Sequence, residues 1–311
     1  MDGAPRRAAS AADAPLRLTR RGALVLGGAG VVGVGGLGLA VQALGGPVSV
    51  ADRVTRPPDA SLPGGSPSCV APDALGSTGQ LRGIPLVYDE SGDRTSFRFE
   101  PGFRARLEAW LPRHASASGL GVPAQVWTLG SWVAGDPGGT GVAADGTVDT
   151  AGGCRSWHNA GRAFDLTRLV DGAGTVVVSA RYDLWSRFTG AELETARQRY
   201  WRTVAGLHRD FDSVLTYLYN DLHHTHVHID DGRMAGTGGS LFRAGSRVQV
   251  QAVQAMCSFV WGRPVETTGA WDSPTREATA GVLAQIGVGE ALTDGVTAWH
   301  GFLDATLARR P

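Results

Sequence analysis

The most informative stretch of this 311-residue chain reads Ser156-Trp157-His158-Asn159-Ala160-Gly161-Arg162-Ala163-Phe164-Asp165. Gly161 permits a tight turn after His158, and the small Ala163 leaves room for close approach of neighbouring groups. On the strand expected after that turn, Asp165 shares a face with Ala163 because strand side chains alternate with a period of two. His158 and Asp165 can therefore meet at one point, as two ligands of a metal ion would.

A second stretch is rich in histidine and holds four of the eight in the chain: Leu222-His223-His224-Thr225-His226-Val227-His228-Ile229-Asp230. On a β-strand, His226 and His228 point to one face while Val227 and Ile229 face the core. Zinc takes nitrogen ligands in tetrahedral sites and, for catalysis, uses three protein ligands and a water. The sequence thus predicts a zinc site in which His228 joins the first two ligands, zinc-bound water is the nucleophile and His226 assists proton transfer. His223 and His224 are expected to lie outside the ligand set.

The N-terminal head differs in composition from the rest of the chain. All 29 basic residues are arginine, and five arginines and two aspartates give the first 21 residues a charge of +3, which leaves −3 for the body and zero overall. An uncharged, glycine-rich stretch over 22–51 follows, and a basic region before such a stretch is typical of export signals. Thr19-Arg20-Arg21-Gly22-Ala23-Leu24 resembles the twin-arginine signal. We expect residues 1–51 to be an export signal or an anchor through 23–44, and the body to be secreted or in the cell wall.

Composition and periodicity divide the rest of the chain. Residues 52–67 read as a linker rich in proline, glycine and serine. Residues 68–240 predict an α+β domain with a mainly antiparallel sheet and flanking helices that carries the zinc site, and residues 246–311 a small helical domain. The predicted helices and strands are as follows. Helices are expected over 103–111, 191–211, about 248–260, 274–286 and 295–308, and strands over 126–133, 174–179, 213–219 and 225–229.

The three cysteines become informative once export is expected, because exported proteins form disulfides. Cys69 and Cys154 both lie in loop-like sequence, and we expect a disulfide between them. Cys257 lies in an apolar helical segment and is expected to be a buried, unpaired side chain.

The pattern Ser-x-His-x-x-Gly-x-Ala-x-Asp over 156–165, with a later His-x-His, resembles the signature of zinc peptidases related to the D-Ala-D-Ala carboxypeptidases, lysostaphin and Hedgehog. From about Cys69 to Arg233 the chain looks like the extensin-like C-terminal family of that superfamily, which also has a Cys-Arg pair before the motif. The resemblance implies His158, Asp165 and His228 as metal ligands and His226 as the catalytic histidine. Many such carboxypeptidases have a glutamate base where this chain has Thr225.

Two further segments bear on the substrate. Arg155 can hold a substrate carboxylate through two hydrogen bonds, although a purely structural role is equally open. The segment over 268–279, with Trp271 and a Pro-Thr pair, resembles the central turn of small peptidoglycan-binding domains.

The sequence therefore predicts an exported zinc-dependent peptidase that hydrolyses amide bonds in bacterial cell-wall peptides, of the D,D-carboxypeptidase or endopeptidase type. Its partner would be peptidoglycan or its muropeptides, with membrane contact only through an uncleaved N-terminal segment. The alternative is a catalytically inactive, zinc-containing protein that binds cell wall or polysaccharide. Nucleic acid is disfavoured as a partner because the body is net acidic and has no lysine for phosphate contacts.

Overall fold

A computed structural model describes residues 69–134, 141–142, 148–149, 156–232 and 239–310. The predicted export signal and linker, together with Cys154 and Arg155, lie outside the described residues. Within the described residues, no helix combines the length and the apolar character needed to cross a membrane.

The described residues form eleven strands and six α-helices, together with short 3₁₀ turns. In chain order, the first half contains β1 (Gly76–Thr78), β2 (Gln80–Leu81), β3 (Ile84–Tyr88), β4 (Phe97–Phe99), α1 (Pro101–Ser118), β5 (Gln125–Gly130), β6 (Gly141–Val142), β7 (Val148–Asp149) and β8 (Ala163–Val170). The second half contains β9 (Val176–Ser179), α2 (Tyr182–Trp185), α3 (Gly190–Asp210), β10 (Ser213–Leu215), β11 (Val227–Asp230), α4 (Arg247–Phe259), α5 (Ser273–Gln285) and α6 (Val296–Ala308).

The main sheet has seven strands in the order β10-β11-β8-β5-β3-β2, with β9 paired to β8 outside this path. All pairings in it are antiparallel except that of β3 with β5. The predicted α+β class with a mainly antiparallel sheet is therefore confirmed. Strand β8 pairs with β5, β9 and β11 and is almost entirely buried.

Helix α3 connects the sheet to the C-terminal helices. It contacts α1, β9 and β10 on the sheet side and packs against α4 and α6. Buried side chains form one hydrophobic cluster that runs from the sheet through α3 to the C-terminal helices, and it includes Phe164, Trp201 and Trp299. Arg202 of α3 is buried here and donates hydrogen bonds to the backbone carbonyls of Ser118 and Leu307, the C-terminal ends of α1 and α6.

Five predicted elements have different lengths in the structure. The strands predicted over 174–179 and 225–229 begin two residues later, at Val176 and Val227, so His226 precedes β11 and is not part of it. Helix α1 continues seven residues beyond the predicted end at 111, because its buried face extends past Pro112 through His114 and Ala115 to Ser118. The strand predicted over 213–219 ends at Leu215, where the chain turns at Thr216–Tyr219. The strand predicted over 126–133 ends at Gly130, and the residues after it contact the site instead.

Candidate metal centre

The first candidate ligand lies on a short 3₁₀ turn, Trp157–Ala160, whose conformation follows from the sequence around it. The Ser156 hydroxyl accepts a hydrogen bond from the backbone N–H of His158, and the Asn159 side chain accepts one from the backbone N–H of Ser156. These reciprocal bonds satisfy donors that a helix start leaves open. Gly161 ends the turn at φ +67°, a conformation that glycine adopts without strain.

Close packing also requires glycine at position 161. A Cβ atom there would lie 2.9 Å from the backbone nitrogen of Glu100 and 2.9 Å from a methyl carbon of Leu75. The carbonyl of Gly161 accepts a hydrogen bond of 2.8 Å from that same Glu100 N–H. The turn that carries His158 is thus held against the chain N-terminal to α1.

Strand pairing brings the other two candidate ligands together. Strands β8 and β11 are antiparallel neighbours, and His228 lies directly opposite Asp165 in their register. Opposite residues on one face of such a pair have Cβ atoms about 4.5–5.5 Å apart, so their side chains can touch. Asp165 follows Gly161 by four residues, which places the His158 turn at the start of β8 beside this pair.

The side-chain atoms of the three predicted ligands converge on one point. The Nε2 of His158 lies 3.1 Å from the Nδ1 of His228, which lies 3.0 Å from the Oδ1 of Asp165, and the His158–Asp165 distance is 3.3 Å. All three side chains are buried or nearly so, with the imidazole of His228 11% exposed. Within the described residues, these three form the one group of histidine, cysteine and acidic side chains whose ligand atoms lie close enough to hold a metal ion.

Hydrogen bonds to the other ring nitrogens orient both histidines. The Nδ1 of His158 donates to the backbone carbonyl of Ser131, whose hydroxyl in turn donates to the carbonyl of Ala163. The Nε2 of His228 lies 3.2 Å from the Oδ2 of Asp230. Each ring therefore keeps one nitrogen for the shared point and uses the other to hold its orientation.

An irregular end of β5 explains why Ser131 reaches the site. The register between β5 and β8 shifts at Thr128 and Gly130, and the Thr128 hydroxyl donates to the carbonyl of Asp165. Such bulges redirect the chain that follows them, here toward His158. No side-chain pattern could have revealed Ser131, because its backbone carbonyl makes the contact.

The charges of the cluster are coupled. Burial would raise the pKa of Asp165, but the nearby charges of His158 and His226, together with hydrogen bonds from His158 and His228, hold that pKa well below its usual value. Burial would lower the pKa of His228, yet its hydrogen bonds and attraction to Asp165 and Asp230 raise it to about 10. Asp165 is therefore ionised at neutral pH, whereas His228 carries a proton that a metal ion would have to displace.

His226 lies beside this group but outside it. Its Nε2 is 3.6 Å from the Oδ1 of Asp165, and its Nδ1 is 3.1 Å from the hydroxyl of Thr225. Its side chain is 2% exposed. Among the described residues, only the three ligands above have donor atoms that all lie within 4.8 Å of one another, so His226 is not a fourth member.

The two remaining histidines of the cluster differ from each other. His223 is buried, and its Nδ1 donates a hydrogen bond of 2.6 Å to the side-chain oxygen of Asn220. Its ring centre lies 5.0 Å from that of His226. Burial, followed by the charges of His226 and His228, lowers its pKa well below the usual value. His224 is partly exposed and lies 3.4 Å from Asp221, with its ring against Tyr182. Neither belongs to the ligand group.

The cysteines fall into two classes. Cys69 is disulfide-bonded, and Cys257 is free and buried in α4, where burial raises its pKa to about 12. The predicted partner of Cys69, Cys154, lies outside the described residues, as does the predicted substrate ligand Arg155, so the structure leaves both as predictions.

Comparison of the chain with protein-family models, curated proteins and solved structures gave no match in any of the three.

Proposed function

We propose that this protein is a zinc-dependent peptidase that hydrolyses amide bonds in cell-wall peptides outside the cytoplasm. The observation that carries the proposal is the convergence of His158 Nε2, His228 Nδ1 and Asp165 Oδ1, with the histidine side chain of His226 beside them but outside the ligand group. Three protein ligands and a neighbouring proton-transfer group are the composition of a catalytic zinc site, whereas structural zinc sites have four protein ligands.

The spacing of the three atoms suits zinc. Zinc bonds to nitrogen and oxygen measure about 2.0–2.2 Å in tetrahedral sites, which requires ligand atoms about 3.3–3.5 Å apart. The three distances here are 3.0, 3.1 and 3.3 Å, so a small outward shift of each side chain would complete one face of a tetrahedron. Two imidazole nitrogens and one carboxylate oxygen are also a donor set that suits zinc better than it suits magnesium or calcium, which prefer oxygen ligands.

The reaction would replace one amide bond by a carboxylate and an amine. A bound zinc ion would supply a Lewis acid that polarises the carbonyl and lowers the pKa of water to about 7. His226 is the group that we assign to proton transfer: it takes a proton from the attacking water at Nε2 and returns it to the leaving nitrogen when the C–N bond breaks. The Thr225 hydroxyl can either donate to or accept from Nδ1 of His226, so it supports the ring in both tautomers.

The substrate class and the compartment rest on the sequence. The Ser156–Asp165 motif and the His-x-His resemble those of peptidases that act on cell-wall peptides, and the paired Arg20-Arg21 resembles an export signal. The disulfide at Cys69 supports a location outside the cytoplasm, because disulfides persist in oxidising compartments. The C-terminal helices α4–α6 would contribute wall binding.

A second candidate is a zinc-containing wall-binding protein without catalysis. It is favoured by Thr225, which stands where many carboxypeptidases of this type have a glutamate base. Between Glu194 and Glu266 the sequence has no glutamate at all. In this alternative His226 would have no proton to transfer.

The two candidates differ in their products. The full chain, loaded with zinc, would be incubated with purified muropeptides, and the products analysed by mass spectrometry. A peptidase adds the mass of one water per bond cut, and this activity should disappear with a chelator and return with zinc. Retention on purified cell wall without any such product would reject the peptidase in favour of the binding protein.

Variants of two neighbouring residues separate binding from turnover. Asp165→Ala removes a ligand, so both zinc and activity should be lost. His226→Ala should keep zinc and lose turnover. Full activity of His226→Ala would refute its role in proton transfer.

A further inference from the structure

The side chain of Asp230 contacts a candidate ligand on the side away from the metal position. Its Oδ2 lies 3.2 Å from the Nε2 of His228, and its Oδ1 accepts a hydrogen bond of 3.0 Å from the backbone N–H of Gly232. Asp230 is 3% exposed, and it lies opposite Ala163 in the β8–β11 register. Both carboxylate oxygens are thus occupied, which fixes the orientation of this side chain.

A fixed carboxylate determines which nitrogen of His228 carries the hydrogen. A carboxylate only accepts hydrogen bonds, so the Nε2 that faces Asp230 must be the N–H nitrogen. In the neutral ring that metal binding requires, Nδ1 then has the free lone pair. This is the nitrogen that lies 3.1 Å from His158 Nε2 and 3.0 Å from Asp165 Oδ1.

We propose that Asp230 is a positioning residue: it sets the tautomer and ring orientation of His228, so that His228 binds the metal through Nδ1. The inference rests on the metal centre of the proposed function, but it does not depend on peptidase activity. Carboxylates that orient ligand histidines in this way typically affect metal affinity by about 10- to 100-fold.

Asparagine at position 230 tests the proposal because it has the shape of aspartate but replaces one accepting oxygen by a donating NH₂ group. If the asparagine oxygen keeps the hydrogen bond from Gly232, its NH₂ group faces Nε2 and favours the tautomer with hydrogen on Nδ1. If the amide is turned the other way, its NH₂ group faces the N–H of Gly232, and two donors oppose each other. Asp230→Asn should therefore weaken zinc binding although it removes no atom from the core.

The matched control is Asp221→Asn. Asp221 also contacts a histidine, with its Oδ1 3.4 Å from the Nε2 of His224, but this carboxylate is 59% exposed and its histidine is outside the ligand group. The same chemical change at the edge of the same histidine cluster should leave zinc affinity unchanged.

The experiment measures zinc affinity of the full chain by competition with a chromophoric chelator. We expect Asp230→Asn and Asp230→Ala to weaken zinc binding by about 10- to 100-fold and Asp221→Asn to change it less than about twofold. The metal-free variants are compared by thermal denaturation. A melting temperature of Asp230→Asn equal to that of the wild type excludes a general folding defect. In zinc-loaded wild type, nitrogen NMR of the histidine side chains should show His228 protonated at Nε2.

The outcomes are distinguishable. Wild-type affinity in both Asp230 variants, or His228 protonated at Nδ1 in the zinc-loaded protein, overturns the inference. Absence of zinc binding by the wild type would overturn the metal centre and this inference together. Zinc binding without cleavage of muropeptides would reject only the peptidase, and the affinities would still decide the role of Asp230.

Discussion

Replacement of Gly161 by alanine would strain the turn that carries His158 and lower the free energy of unfolding. Two separate costs arise. The backbone at φ +67° is left-handed, which costs a residue with a side chain about 1–2 kcal/mol. The new methyl group would also lie 2.9 Å from the Glu100 nitrogen and from Leu75, and overpacking of this kind costs about 1–3 kcal/mol. We expect the free energy of unfolding to fall by about 2–5 kcal/mol.

Gly174 provides a matched control for the first of these costs. It has φ +77°, and a Cβ atom there would have nothing within 4 Å. Gly174→Ala should therefore lose only about 1–2 kcal/mol. The difference between the two variants in the free energy of unfolding gives the cost of the steric contact alone. That contact can be relieved only if the turn moves away from Glu100.

The assay is urea denaturation of the metal-free protein, followed by zinc titration of each variant. Because relief of the contact moves His158 relative to Asp165, Gly161→Ala should bind zinc more weakly than the wild type, whereas Gly174→Ala should bind it equally well. Equal losses of stability in the two variants, with unchanged zinc affinity in both, would refute the assignment of Gly161 as the residue that sets the position of His158.

Three further predictions concern other parts of the molecule. Burial, with a smaller contribution from the charge of Arg202, lowers the pKa of His114 to about 4, so the unfolded chain takes up a proton first as the pH falls below about 6.5. The free energy of unfolding should therefore drop by about 2 kcal/mol between about pH 7 and about pH 5 because of His114 alone. Urea denaturation at the two pH values should show a correspondingly smaller drop for His114→Gln. Arg202→Leu would leave the carbonyls of Ser118 and Leu307 without their buried donor and should lower the free energy of unfolding by about 2–4 kcal/mol, measured by the same method; a loss below about 0.5 kcal/mol would show that water replaces the guanidinium there. Zinc at about 100 times its Kd should raise the free energy of unfolding by about 2.7 kcal/mol, a gain that a chelator reverses, and no melting shift with zinc would contradict binding to the folded state.

Local signals in the sequence predicted the C-terminal helices well. The predicted ranges 248–260, 274–286 and 295–308 each lie within about one residue of α4, α5 and α6. For α4 and α5 the reason is visible at their starts: the side chain of Ser246 accepts the N–H of Gln249, and that of Asp272 accepts the N–H of Thr275. Such caps mark a helix start in the sequence itself.

Strands in the first half of the chain were harder to predict. Strand β3 contains Pro85, a residue that argues against a strand, and it forms the one parallel pairing of the main sheet. Its partner β5 ends at Gly130 in an irregular register. The first feature depends on pairing of β3 with β5 and the second on pairing of β5 with β8, and no short stretch of sequence encodes such tertiary contacts.

For the candidate site, the sequence identified the three side chains that meet, because the motif over 156–165 and the later His-x-His pattern contain all three. The sequence could not show how they are oriented. The carbonyl of Ser131 reaches His158 only because β5 ends in a bulge, and Thr225 contacts His226 through a hydroxyl that has no distinctive sequence pattern.

In the proposed metal centre, His158, Asp165 and His228 bind zinc and His226 lies outside the ligand set. Zinc stoichiometry of the purified full chain, determined by elemental analysis after equilibration with limiting zinc, tests this claim for the wild type, Asp165→Ala and His226→Ala. We expect one zinc per chain in the wild type and in His226→Ala, and essentially none in Asp165→Ala. Zinc retained by Asp165→Ala, or lost from His226→Ala, would contradict the assignment of these residues.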